Sequence, residues 1–126
     1  MIRFGYVLKL CREDRGLSLR ELKTLSGIDH AYIHRLETST KLSPSEEVFT
    51  SLVRALKVST RMRDILDYLC KIEGVPDALF DAMQLNEGHS ILAFETASKM
   101  SFRGERPSTV EDWDKLMGEL DDKFFQ

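Results

Sequence analysis

"SLRELKTLSGIDHAYIHRLE", residues 18–37, decides how the rest of the chain is read. Ser18 stands where a helix N-cap belongs, and Glu21 follows three residues later, the pattern of a capping box. Gly27 can take the left-handed backbone that stops a helix. Asp29 then caps a second segment, "HAYIHRLE". Two short helices joined by a turn of about three to four residues that holds a glycine have the spacing of a helix-turn-helix, whose second helix enters the major groove of DNA.

Angular bookkeeping divides that second helix into two sides. Stepping about 100° per residue from His30 brings Tyr32, Ile33 and Leu36 together on an apolar, buried side. His30, Ala31, His34 and Arg35 fall on the opposite side. Polar side chains on a helix anchored by an apolar back are what the reading of base edges requires.

Working outward, "RFGYVLKLCRED" places Phe4, Val7, Leu8 and Cys11 on one helical stripe that ends at Gly16. "SPSEEVFTSLVRALKV" carries Ser43 as cap, Pro44 at the first helical position, and Val48, Leu52, Ala55 and Leu56 as its buried stripe. Ser59 opens "TRMRDILDYLCKIEG", with Ile65, Leu69 and Ile72 at helical spacing. "PDALFDAMQLNEG" and "SILAFETASKM" read as two shorter helices parted at Gly88. A polar turn with Gly104 and Pro107 follows. Ser108 and Glu111 then form a second capping-box pattern, ahead of Val110, Trp113, Leu116, Met117, Leu120 and Phe124 on one face. Period-two alternation is absent, so the expected fold is all-α, with five to seven helices.

At 126 residues, 42% of them apolar and 31% charged, the chain has enough material for one compact domain or two small ones. No window approaches the ~18 apolar residues of a membrane span. The first residues are too charged for a signal peptide, and a cytoplasmic location is expected. Cys11 and Cys70 sit inside apolar patterns with no CxxC, as reduced, buried thiols do. The net charge of −3 hides an asymmetry: residues 1–63 hold twelve Lys and Arg against seven Asp and Glu, and residues 64–126 hold six against fourteen. That division predicts a basic DNA-binding domain over 1–63 and an acidic helical domain over 64–126. An acidic surface repels phosphate, so the second domain is assigned to homodimerisation, through the stripe of Trp113, Leu116, Met117, Leu120 and Phe124; the alternative is that the stripe only folds this half onto the first.

His30 and His34 have the spacing of a zinc pair, but no third ligand accompanies them, and HExxH is absent. A Gly-rich phosphate loop, a nucleophile elbow and a Ser/His/Asp or Cys/His constellation are missing too. The expectation is a non-enzyme with no metal, cofactor or catalytic residue.

The segment around the two short helices resembles the xenobiotic-response-element family, which includes the Cro and cI phage repressors. Gly16-Leu17-Ser18, Leu22, Ser26-Gly27-Ile28, Tyr32-Ile33 and Leu36-Glu37 carry the likeness, over roughly residues 3–58. The resemblance implies a five-helix DNA-binding domain and an ion pair between Arg12 and Glu37. It also implies base contacts from His30, Ala31, His34 and Arg35. Phosphate contacts would come from Ser18 and Arg20 at a helix start and from Ser39 and Lys41 in a loop. Leu19 departs from the glutamine common in the family, and Thr38-Ser39 from its basic residue and glycine.

Further along, "SFRGERPSTVEDWDKL" resembles an RGxRPxxxxDW motif of the DdrO-type repressors, through Arg103, Gly104, Arg106, Pro107, Asp112 and Trp113. That resemblance implies a partner metallopeptidase of the ImmA/IrrE type, which would recognise Gly104, Arg106 and Pro107 and cut between Phe102 and Arg103. The combined expectation is a dimeric repressor of transcription on an inverted-repeat operator, switched off by proteolysis in a stress response. An antitoxin that represses its own operon, and a helical interaction module that has lost DNA binding, are the alternatives.

Overall fold

Among the described residues, six helices open on a side chain that accepts a hydrogen bond from the first turn. These caps are Ser18, Asp29, Ser45, Ser59, Ser90 and Thr109. The computed structural model describes residues 1–125. It contains α1 (Phe4–Asp14), α2 (Leu19–Ser26), α3 (His30–Thr38), α4 (Glu46–Leu56), α5 (Thr60–Cys70), α6 (Asp77–Leu85), α7 (Ile91–Lys99) and α8 (Val110–Phe124). Among the described residues eight helices stand where five to seven were expected, one for each helical segment that the sequence delimits.

Two caps differ from expectation. α4 begins after Ser45, whose hydroxyl accepts from the Val48 N–H, rather than after Ser43. Ser43 instead donates its hydroxyl to the Cys70 carbonyl. The buried face of α4 is Phe49, Leu52, Val53 and Leu56, and Val48 and Ala55 are half-buried. α8 is opened by Thr109 and Asp112 rather than by Ser108 and Glu111, because the Asp112 carboxylate accepts from the backbone of both Ser108 and Thr109.

The chain divides into two compact units, Arg3–Gly74 and Met1–Ile2 with Val75 onward. A boundary at 63/64 would cut through α5, whose Ile65, Leu66, Tyr68 and Leu69 belong to the core of the first unit. In that unit α1 packs on α3 and α5, and α2 packs on α3 and α4. Gly5 sits where α1 meets the end of α3. A Cβ at this position would overlap the Leu36 carbonyl and come within 2.7 Å of the Glu37 carbonyl oxygen, both fixed backbone atoms. Gly5→Ala should therefore cost about 2–3 kcal/mol, seen as a lower urea midpoint at unchanged slope. A midpoint equal to that of the parent chain would show that the α1–α3 contact yields.

Both thiols belong to this unit, Cys11 buried and Cys70 half-buried, and they are free. Burial pushes Cys11 up to about 11 and Cys70 up to about 12, so both are protonated at neutral pH.

The second unit packs α6 and α7 against α8. Ile2 joins it through a two-bond bridge, its N–H donating to the Val75 carbonyl at 2.7 Å and accepting in return at 2.9 Å. Its core includes Leu79, Phe80, Met83, Phe94 and Ala97, with Trp113, Met117 and Leu120 from α8. The sequence pattern assigns the last three to a dimer interface. The fold spends them on its own interior instead, and of that stripe only Leu116, half-buried, and Phe124, exposed, remain outside.

His89 is also buried here. Its Nε2 lies 2.7 Å from Asp114 Oδ1 and its Nδ1 3.5 Å from Asp121 Oδ2. Ser90 donates its N–H and hydroxyl to Asp121, and the Asn86 amide donates to Asp114. The hydrogen bond with His89, then that with Asn86, holds Asp114 below the usual carboxylate range. A carboxylate depressed on folding stabilises the fold above its ordinary range and gives that up as pH falls through the folded value. The melting temperature should thus fall as pH drops below about 4, and Asp114→Asn should flatten the fall. Parallel slopes for the two chains would remove Asp114 from the account.

No described helix is long and apolar enough to cross a membrane.

Candidate nucleic-acid interface

The α2–turn–α3 element is built almost entirely from local hydrogen bonds. Ser18 accepts from the Glu21 N–H at 3.0 Å, and Glu21 accepts from the Ser18 N–H at 3.0 Å. The backbone and side-chain bonds of Ser18 hold the Glu21 carboxyl below its usual range. Gly27 ends α2 with φ at 77°, a left-handed backbone that disfavours a side chain. Ser26 accepts from the Ile28 N–H, and Asp29 from the N–H groups of Ala31 and Tyr32, which starts α3. Lys23 lies 3.6 Å from the Asp29 carboxylate and adds to the clamp.

One ion pair sets α3 against α1. Arg12 donates through Nε to Glu37 Oε2 at 2.7 Å and through Nη2 to Oε1 at 3.0 Å. Its Nη1 donates to the Leu17 carbonyl at 2.8 Å, which ties in the segment before α2. The hydrogen bond with Glu37 raises the Arg12 guanidinium above its ordinary value. Glu37 is buried beneath this fork.

With its back pinned, α3 turns the opposite side outward. Ala31, His34 and Arg35 are exposed and His30 is half-buried, while Ile33 and Leu36 are fully enclosed. Tyr32, expected on the buried side, is half-buried, and its ring lies under the Arg35 guanidinium at 5.5 Å. Ser18 and Arg20 are exposed at the start of α2. Ser39 caps the end of α3, its hydroxyl accepting from the N–H groups of Lys41 and Leu42, and the Lys41 side chain is exposed. The Tyr32–Arg35 contact has a signal in sequence, an aromatic and an arginine three apart on a helix. The closeness of Gly5 to α3 has none beyond a glycine in a first turn.

A helix-turn-helix domain model matches residues 3–66, half of the chain and the whole of the element just described. The chain belongs to the helix-turn-helix domain family. It is also similar to the HTH-type transcriptional repressor RghR of Bacillus subtilis (strain 168), 36% identical over 58 residues, which are 46% of this chain and 43% of that protein. The chain thus spans less than half the length of the curated relative it matches.

The other sequence-singled residues lie in the second unit. Phe102 is half-buried, its ring edge-on to Trp113 at 6.2 Å, and Arg103 is exposed. Arg106 lies over both rings, 5.9 Å from Phe102 and 5.6 Å from Trp113. Gly104 has φ at 91°, and Pro107 is half-buried. The segment is a turn pinned to α8 by an aromatic pair and one cation.

Proposed function

We propose that this protein is a sequence-specific DNA-binding repressor of transcription. The supporting observation is the outward face of α3, with His30, Ala31, His34 and Arg35 presented from a helix-turn-helix that the Arg12–Glu37 pair ties to α1. The repressor name of the B. subtilis relative points the same way. Ser18, Arg20, Ser39 and Lys41 flank that face and are assigned to phosphates. Phosphate contacts fix register and base contacts supply the sequence reading.

The test starts from the duplex that the parent chain selects out of a randomised pool. Arg35→Ala should weaken binding to it by about 1–3 kcal/mol and relax preference at one base pair. Lys41→Ala should weaken all duplexes alike and make the salt slope shallower by about one. No selection from the pool would overturn the reading.

The active form is a homodimer on an inverted repeat, since two recognition helices about 34 Å apart meet successive half-sites. An interface in the second unit has to use side chains that the fold leaves outside, such as Phe124, Leu85 and Leu92. The off-switch is cleavage at Phe102–Arg103 by an ImmA/IrrE-like metallopeptidase, which would detach α8 and leave α6 and α7 without the core residues Trp113 and Met117. A chain truncated after Phe102 should sediment as a monomer and bind the selected duplex weakly. A stable dimer of that truncation refutes the switch.

A further inference from the structure

We propose that Tyr32 is a positioning residue for base reading, its ring carrying the Arg35 guanidinium and fixing where that group is presented. The inference rests on the reading of α3 as the recognition helix. Tyr32 and Arg35 are three residues apart, one turn of α3, with Arg35 Cζ 5.5 Å from the ring centroid. Long side chains on a helix lean toward its N-terminus, so an arginine lies back over a ring at i−3. That direction carries the guanidinium toward the N-terminal part of the recognition helix, where base contacts concentrate.

The surroundings make the ring the group that aims Arg35. Arg35 is exposed, and among the described residues its side chain makes no hydrogen bond or ion pair. Tyr32 is half-buried, and its own N–H is donated to the Asp29 carboxylate, so the platform belongs to the capped, fixed start of α3. Arg20 and Lys41 are exposed cations that, among the described residues, lie over no ring, which suits contact with phosphates by charge alone. A guanidinium held over a ring keeps its fork of donors free and loses less freedom on meeting a guanine edge than one in open solvent.

The experiment uses the duplex selected by the parent chain from a randomised pool, and the same duplex altered at the base pair where Arg35→Ala loses preference. Tyr32→Phe keeps the π face and should retain discrimination. Tyr32→Leu and Tyr32→Met fill the half-buried space without that face and should lose about two- to five-fold in discrimination at that pair. Their salt slopes should stay as in the parent. Added to Arg35→Ala, either substitution should do nothing further. Melting curves show which variant is folded, and one folded variant is enough. Undiminished discrimination in a folded Leu or Met variant overturns the proposal, as does an equal loss in the Arg35→Ala background or a Phe variant that behaves like Leu. If Arg35→Ala itself leaves every base preference intact, the recognition reading fails first and takes the positioning role with it.

Discussion

Arg12→Ala should cost the chain about 3–5 kcal/mol of stability, the largest loss expected from any surface-reaching side chain in the first unit. The side chain of Glu37 is 2% exposed and that of Arg12 is 12% exposed, so deleting the guanidinium strands a carboxylate in a poorly solvated interior. The Leu17 carbonyl loses its donor as well. Arg12→Lys should recover only part of the loss, because one ammonium cannot reproduce the two-point fork. Replacing both partners, Arg12→Met with Glu37→Leu, should be milder than Arg12→Ala alone, since no buried charge is left over. Urea unfolding followed by helical circular dichroism measures all four chains. A loss below about 1 kcal/mol for Arg12→Ala would mean that Glu37 finds water or another donor.

Trp113→Ala should be as costly, about 3–5 kcal/mol, but in the other unit. Trp113 is 1% exposed, the partner of Phe102 and Arg106 and the largest side chain in the core of α6–α8. Its loss should open that unit and leave Arg3–Gly74 folded. Hydrogen exchange separates the cases: protection should vanish from α6, α7 and α8 and persist in α1 to α5. The Phe102–Arg103 bond should also become sensitive to a general protease, since the ring that pins its turn has gone. Uniform loss of protection along the chain would show that the units unfold as one.

These two sites differ in how they could be read. The α2–turn–α3 element is legible because Ser18, Glu21, Gly27 and Asp29 act on neighbours within a few residues, so spacing alone fixes the caps and the outward face. The Arg12–Glu37 pair spans 25 positions, and only family resemblance pointed to it. Trp113, Met117 and Leu120 mark the limit of periodicity, which shows that a face is covered and is silent on what covers it. The start of α8 was ambiguous for a simpler reason, because Ser108/Glu111 and Thr109/Asp112 both satisfy the same three-residue spacing. The His89 cluster was hidden because Asp114 and Asp121 are distant in sequence and close only through packing.

The bridge between Ile2 and Val75 has a consequence for the order of synthesis. Ile2 is made before α1, yet Val75, the residue it bridges, is made only after α5 is complete. Chains are extended at about 5–20 residues per second and domains fold as they emerge, so α1 to α5 have seconds to assemble while the residue just ahead of them is still untied. The unit that carries α2 and α3 can therefore assemble before α6 to α8 are made, and the closing of Ile2 onto Val75 comes after it.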